Sequence, residues 1–406
     1  MRDIDLFQQA LGLPKPWYVE RSEFNASSRR LDLYLDFETG GTFVCPECGR
    51  AGCKAYDTSE KTWRHLNFFQ HEAYLHARVP RVECEQCGVK LVEVTWARPG
   101  SGFTLLFEAI VLMLAKSMPI AEVSRLLGEH DTKLWRVVHH YVDEARERTD
   151  FSAVRQVGVD ETASKRGHNY ITLFVDLEEP KLLFATEGRD SATIGAFRED
   201  LEAHGGSAEQ VEEFCLDMSP AYRKGLDEHF PEARITFDKF HLVKLMNEAV
   251  DEVRRQEARM RPELKGTRYL WLKNPLQITR KQMDQYDRLW LPGLHLKTVR
   301  AYHIRLAFQD LWTQPRLEAE TFLKKWYAWA IRSRLAPVVR FARTIREHWD
   351  GVLNWFQTRI SNGVLEGFNS LLQAAKAKAR GYRSVRNLIA MAYLIMGKLD
   401  IMTLPI

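Results

Sequence analysis

The sequence predicts a multidomain α/β protein, and three observations carry that prediction. Two C-x-x-C-G knuckles precede residue 100, a short-helix, tight-turn, capped-helix rhythm follows, and then short apolar strands give way to a long helical stretch. At 406 residues the chain exceeds what one compact core accommodates, so roughly two to four domains are expected.

The N-terminal stretch to about residue 44 reads as a short helix followed by alternating strands, as in Leu31-Asp32-Leu33-Tyr34-Leu35-Asp36-Phe37. Cys45-Pro46-Glu47-Cys48-Gly49 and Cys84-Glu85-Gln86-Cys87-Gly88 then form two near-identical knuckles around a strand-like stretch from Ala73 to Glu83. Two residues between thiolates let both sulfurs reach one tetrahedral ion, and the Gly that follows permits the tight turn. Cys45, Cys48, Cys84 and Cys87 are therefore expected to form a closed, structural Zn²⁺ site, the loop between the pairs holding extra strands. Cys53 and His65 are possible substitute ligands, though a lone Cys or His is more often ordinary packing, and Cys215 lies inside an apolar strand.

Pro99-Gly100-Ser101-Gly102 marks the first linker. Beyond it the period turns helical, with Leu106, Ile110, Val111 and Leu114 on one face. Pro119 opens a second helix with Val123, Leu126 and Leu127 on one face, Gly128 stops it, and Asp131 or Thr132 caps a third. That is the pattern of a helix-turn-helix, and Lys133, Arg136 and His140 on the third helix are its candidate DNA contacts.

Past Val154 the texture is α/β. Gln156 to Asp160 reads as a short buried strand ending in a carboxylate, Tyr170–Leu177 and Lys181–Thr186 as a hairpin, and Thr193–His204 as a helix. Phe214–Asp217 and Ala233–Asp238 are further strands that end in acids. A helical region follows to about Trp355, and two helices parted by Gly381 close the chain. Glu366 lies on the first of these, whose apolar face is Leu365, Phe368, Leu372 and Ala375 and whose polar stripe runs Glu366, Asn369, Gln373, Arg380 with Lys376 alongside. An isolated Asp after a strand is usually a turn or cap residue. Three acids in the order strand, strand, helix instead suit metal-dependent attack on a phosphodiester, where hard dications activate a hydroxyl and stabilise the leaving oxygen.

Composition narrows the classes further. The longest apolar run near the end, Leu388 to Met396, is about half of what a bilayer needs, and the acidic N-terminus is no signal peptide. A cytoplasmic protein without a membrane partner is expected. From Gly351 to Leu399 the only acid is Glu366, among Arg359, Lys376, Lys378, Arg380, Arg383, Arg386 and Lys398, a surplus suited to polyphosphate.

The whole chain resembles the ISL-three family of bacterial insertion-sequence transposases. The resemblance is carried by the two knuckles with Trp63-Arg64-His65-Leu66 between them, and by Val157-Gly158-Val159-Asp160-Glu161 and Asp217-Met218-Ser219-Pro220-Ala221-Tyr222. Phe237-Asp238-Lys239-Phe240-His241-Leu242 and Asn362-Gly363-Val364-Leu365-Glu366-Gly367-Phe368-Asn369 complete it. It implies a zinc ribbon, a helix-turn-helix, and an RNase H-like mixed-sheet catalytic core interrupted by an all-α insertion, with a DDE triad of Asp160, Asp217 and Glu366 holding catalytic Mg²⁺, for which Mn²⁺ can substitute. Asp238 and His241 form a D-x-x-H and compete for the second position. Asp217 is favoured because the second acid of such a core lies on the strand beside the first, leaving Asp238 and His241 to support the site or position DNA, and Glu161 as structural. The expected boundaries are 1–100 for the zinc module, 101–150 for the helix-turn-helix, 151–250 and 355–406 for the two parts of the core, and 251–354 for the insertion.

The implied partners are double-stranded DNA, as terminal inverted repeats and target, and a second copy of the chain, because two ends must be cut and joined together. Lys376, Arg380 and Arg383 are candidate phosphate contacts. Trp271, Trp290, Trp312, Trp326 and Trp329 are expected mostly in the insertion's core. Two rivals stand beside the transposase reading: a DNA-binding regulator that does not cut, and a metal nuclease that cuts without joining.

Overall fold

The computed structural model describes residues 3–165, 167, 169–289 and 295–401, which divide into two compact units. One runs to Ala145 and is joined by the residues from Leu399; the other is Arg146–Lys398.

In the first unit, α1 (Asp3–Leu11) precedes β1 (Trp17–Asn25), β2 (Arg30–Phe37), β3 (Thr42–Phe43), β4 (Cys53–Phe68), β5 (His71–Cys84) and β6 (Gly88–Leu91). They form one sheet in the order β1-β2-β5-β4-β3, with β6 on β5. Its core alternates along the strands, burying Leu31, Leu33 and Leu35 of β2 and Ala73, Leu75, Ala77 and Val79 of β5 with Trp17, Trp63 and Trp96. The long strand β4 carries no apolar alternation over its first half, so its pairing with β5 and, at Cys53 and Lys54, with β3 makes it a strand.

The helix-turn-helix consists of α2 (Leu105–Ala115), α3 (Ile120–Leu127) and α4 (Asp131–Glu147), with Thr104 capping α2 and Gly128 ending α3 in the left-handed conformation. Two details differ from the sequence reading. The face α2 buries is Phe107, Val111, Leu112 and Ala115 with Glu108, not Leu106, Ile110 and Leu114. Glu108 is fully buried because Arg98, Ser101 and Tyr141 all donate to its carboxylate, so a charged residue sits inside the apolar stripe and displaces it. Leu126 stays 60% exposed. The expected linker at residues 99–102 is fastened: Ser101 reaches Glu108, and Arg64 N–H donates to the Gly102 carbonyl at 2.9 Å.

The second unit is built on a five-stranded sheet of β7 (Gln156–Ala163), β8 (Tyr170–Asp176), β9 (Lys181–Glu187), β10 (Glu213–Leu216) and β11 (Arg234–Phe237), in the order β11-β10-β7-β8-β9. β7, β8 and β9 are antiparallel neighbours, while β10 runs parallel to both β7 and β11. Helices α5 (Ser191–Ala203) and α6 (Pro220–His229) make the connections, burying Phe197, Leu201, Tyr222 and Leu226 in the core that also holds Val157, Val159, Phe174 and Phe214. β7 does not stop at Asp160, as the sequence suggested, because β8 pairs with it as far as Ala163 opposite Tyr170. Of β7, β10 pairs only with Gln156–Gly158.

Between β11 and the closing helices lie α7 (Lys239–Glu257), α8 (Arg268–Leu272), α9 (Arg280–Leu289), α10 (Lys297–Asp310), α11 (Arg316–Ile331), α12 (Ala336–Glu347) and α13 (Trp349–Thr358), with a core of their own. Trp271 and Trp326 are buried in it and Trp312 is partly buried against it, whereas Trp329 is 41% exposed and Trp290 lies outside the described residues. The chain ends with α14 (Gly363–Lys378) and α15 (Val385–Met396). Among the described residues no helix is long and apolar enough to cross a membrane.

Gly158 is where α14 meets the sheet. A Cβ there would stand 2.3 Å from Leu365 Cδ1 and 2.8 Å from Leu177 Cδ2, so any side chain forces the helix or its leucine away. Gly158→Ala is expected to destabilise the protein by about 1–3 kcal/mol through overpacking. Gly102→Ala, with nothing within 4 Å of the added carbon, should change stability by less than about 0.5 kcal/mol; denaturant unfolding of the pair checks both.

Candidate functional site

The four knuckle cysteines converge. One ligand atom each from Cys45, Cys48, Cys84 and Cys87 lies within 4.8 Å of the others, with Cys48 Sγ and Cys84 Sγ 3.6 Å apart. Gly49 and Gly88 take the positive φ the knuckles require, and Gly49 N–H closes its turn on the Cys45 carbonyl. Backbone N–H groups of Cys87 and Gln86 lower the Cys84 thiol to about 6, while hydrogen bonding to Cys48 pushes the Cys87 thiol up to about 12. The first thiolate forms readily and the last resists, the behaviour of a cluster suited to a divalent cation. Cys53 and His65 stand outside it: Cys53 Sγ lies on the Arg50 carbonyl, and His65 Nδ1 is 2.9 Å from Thr104 Oγ1. Burial holds the His65 ring neutral, lowering it to about 4. Cys215 is buried in β10, its thiol raised well above the usual range by desolvation.

At the other candidate site, Asp160 lies in β7 and Asp217 just past the end of the adjacent parallel strand β10. Burial raises the Asp160 carboxyl to about 6, and neighbouring Asp217 adds to the rise. The Asp160 carboxylate accepts from Glu161 N–H at 2.8 Å and from Asn369 Nδ2 at 2.8 Å. Asp217 Oδ1 accepts from Ser219 N–H at 2.9 Å. Asp238 follows β11 at the start of α7 and is fully buried, with Oδ1 3.4 Å from Asn362 N and Oδ2 3.2 Å from His241 Nδ1. That carboxylate, helped by Asp160, holds the His241 imidazole above its ordinary value. Glu161 is half-buried 3.7 Å from Arg189, and burial followed by the field of Asp217 raises its carboxyl once the opposing Arg189 is allowed for.

Helix α14 lies along β7 by one polar face. Asn362 Nδ2 donates to the Val159 carbonyl at 3.3 Å, Asn369 Nδ2 to Asp160, Gln373 Nε2 to Thr162 Oγ1 at 2.7 Å, and Lys376 Nζ to the Ala163 carbonyl at 2.6 Å. Glu366 sits on the same face between Asn362 and Asn369, at helical spacings of four and three residues, and is exposed. Among the described residues, groups of three or more His, Cys, Asp or Glu ligand atoms within 4.8 Å occur only at the four cysteines, so Asp160, Asp217 and Glu366 do not form such a group. Asn362 and the inward role of Gln373 and Lys376 went unread in the sequence. The signal was present in the spacing of 362, 366, 369, 373 and 376, one continuous polar stripe.

The candidate DNA contacts divide. On α4, Lys133 Nζ lies 2.9 Å from Glu129, Arg136 is exposed, and His140 is 3.5 Å from Glu144. Lys376 points inward to Ala163, whereas Arg380 and Arg383 are exposed about the turn at Gly381.

Comparison with known proteins agrees along the whole chain. A family described as "Transposase" matches residues 157–392, the "Helix-turn-helix domain of transposase family ISL3" matches 92–142, and the "zinc-finger of transposase IS204/IS1001/IS1096/IS1165" matches 41–87. The transposase for insertion sequence element IS1557 of Mycobacterium tuberculosis is 29% identical over 98% of this chain and 96% of its own length. That for IS1001 of Bordetella parapertussis is 30% identical over 92% of this chain and 94% of its own.

The raised Asp160 carboxyl has a consequence for stability. Its ordinary value is 3.8 and its native value about 6. Below about pH 4 the group is protonated in both states; between about pH 4 and 6 the unfolded chain ionises first, so native stability falls by roughly 3 kcal/mol and stays lower above that window. In EDTA, Asp160→Asn is expected to melt above wild type near neutral pH and level with it near about pH 4. Thermal unfolding across that range checks it, and a lower Tm at neutral pH would contradict it.

Proposed function

The chain belongs to the ISL3 family of transposases, and on that premise we propose that Asp160, Asp217 and Glu366 are its catalytic carboxylates, with Mg²⁺ as the natural metal. The observation that carries this reading is the seating of α14 on β7, which brings the helix bearing Glu366 against the strand bearing Asp160. The sheet order, with β7 flanked by antiparallel β8 and parallel β10, supports the RNase H-like description of the core.

The residues fit a hard cation. Asp160 and Asp217 offer carboxylate oxygens, and around them the buried oxygens Asn362 Oδ1 and Asn369 Oδ1 have no hydrogen-bond partner among the described residues. Mg²⁺ ions bound there supply activation of the attacking hydroxyl and stabilisation of the departing oxygen. Asp217 is a better ligand than Asp238, being half-buried just past the end of the strand beside that of Asp160, whereas Asp238 is fully enclosed and contacts Asn362 and His241. Asp238 and His241 then support the site from behind.

In this reading the first unit binds the terminal inverted repeats, the four-cysteine cluster holding Zn²⁺ and the exposed face of α4 contacting the groove. At the end of the element, water attacks phosphorus and the bond to the 3′ oxygen breaks, leaving a 3′-hydroxyl. That hydroxyl then attacks a target phosphodiester, forming one new P–O bond as the target's own 3′ oxygen leaves. Two ends must be processed together, so the working form is a homodimer. Arg380 and Arg383 are placed to hold phosphates beyond the end of α14.

The test is cleavage of a labelled duplex carrying the boundary of the element that encodes the chain. Wild type is expected to nick it in Mg²⁺ and not in EDTA, and to yield a joined product with target DNA. Asp217→Ala should lower cleavage by about 10³-fold or more, in line with loss of a metal ligand. Specific binding with no cut in Mg²⁺ or Mn²⁺ would favour a regulator, and cutting without joining a simple nuclease. Wild type is also expected to carry about one Zn²⁺ per chain by elemental analysis, and Cys84→Ser to lose it together with at least roughly tenfold in end binding.

A further inference from the structure

We propose that Asn369 is a positioning residue for the catalytic carboxylates: its amide orients Asp160 and, as the middle rung of a polar ladder, sets Glu366 level with that aspartate. The inference rests on the reading of Asp160, Asp217 and Glu366 as catalytic.

The Asp160 side chain is held at both oxygens, Oδ1 by Glu161 N–H and Oδ2 by Asn369 Nδ2, each at 2.8 Å. One donor per oxygen fixes the carboxylate's rotation and leaves further lone pairs available. The amide's own orientation follows from chemistry, because an ionised carboxylate only accepts hydrogen bonds and so selects Nδ2. Asn369 Oδ1 is thereby turned elsewhere; it is buried, and no described group donates to it. A buried carbonyl oxygen left in that condition beside an acid is a further acceptor for a cation or the water it carries.

The same amide also fixes the helix. Asn362, Asn369, Gln373 and Lys376 reach Val159, Asp160, Thr162 and Ala163 in that order, so α14 cannot slide along β7 without breaking several contacts together. Glu366 lies between the first two rungs. The height of its carboxylate is therefore set by Asn362 and Asn369, and only Asn369 also touches Asp160.

The full-length chain tests this with Asn369→Leu, which keeps the volume and removes the donor, and with Asn369→Ala. Mn²⁺ binding is read by electron paramagnetic resonance, beside thermal unfolding, duplex binding and cleavage. Both variants are expected to retain wild-type melting and DNA affinity, to bind Mn²⁺ roughly 10–100-fold more weakly, and to cleave more slowly by a similar factor. A packing role predicts a different order, with Leu harmless and Ala damaging, and that order or wild-type Mn²⁺ binding in Asn369→Leu would overturn the proposal. If Leu fails to fold, Ala decides by two readouts together: weakened Mn²⁺ binding at wild-type melting supports the proposal, whereas lowered melting or wild-type Mn²⁺ binding overturns it. Asp160→Asn, run in parallel, separates the two levels. Cleavage retained there defeats the carboxylate reading itself; cleavage lost there but kept in Asn369→Leu defeats only the inference about Asn369.

Discussion

The catalytic unit depends on how β7 is completed along one edge. β10 accompanies it only as far as Gly158, so Val159–Ala163 are paired on the β8 side and not by β10 on the other. Backbone groups on an uncovered, buried edge are costly unless something bonds to them. Here the side chains of α14 do so, Asn362 on the Val159 carbonyl and Gln373 and Lys376 on that of Ala163, while the Asp160 carboxylate takes the Glu161 N–H. The open edge is thus the reason α14 docks where it does, and that docking sets the helix bearing Glu366 against the strand bearing Asp160. Gly158 is the steric condition for that docking, since it alone leaves room for Leu365.

The acids stand in tension with this arrangement. Asp160 is raised by burial and by Asp217, and Asp238 is enclosed altogether. Burying like charges together destabilises a fold, and such clusters persist where chemistry requires them. His241 and the amide of Asn369 relieve only part of the cost. The thiol cluster shows the same physics in the other unit: backbone amides favour one thiolate, and the neighbouring sulfurs resist the last. In both places the chain collects groups whose charges a cation would compensate.

How much of this was legible in the sequence follows from range. The knuckles, the helix stop at Gly128, and the acids in or just past short apolar strands are local signals, written in a few consecutive residues. Two kinds of feature escaped. Strand β4 shows no alternation because much of it faces solvent on both sides, and Glu108 broke the apparent face of α2 because its partners Arg98 and Tyr141 lie on other elements. The extension of β7 past Asp160 was likewise set by β8, not by its own residues. At the site the polar stripe of α14 was visible, yet its direction was not, because a row of Asn, Gln and Lys is equally at home in water. Only an unpaired strand edge turns such a row inward.

The helical insertion obeys the same geometry. It leaves the sheet at Asp238 and returns at Asn362, and Asn362 N lies 3.4 Å from Asp238 Oδ1, so its two ends are joined beside Asp160. α13 is fastened to the sheet as well: Asn354 Nδ2 donates to the Ile235 carbonyl, Thr358 Oγ1 to Glu213, and Gly351 admits the Phe237 ring where a Cβ would be 2.3 Å away. Inside the insertion, Glu257 caps the start of α10, and Arg305 holds the carbonyls of Leu272 and Lys273. A segment of this length can interrupt a catalytic core only if its ends are held where the core needs them, because loop closure alone leaves them free to wander. Stapling entry to exit through Asp238 and Asn362 removes that freedom, and Glu366 then stands one helical turn past the staple, its place on α14 independent of how the rest of the insertion is built.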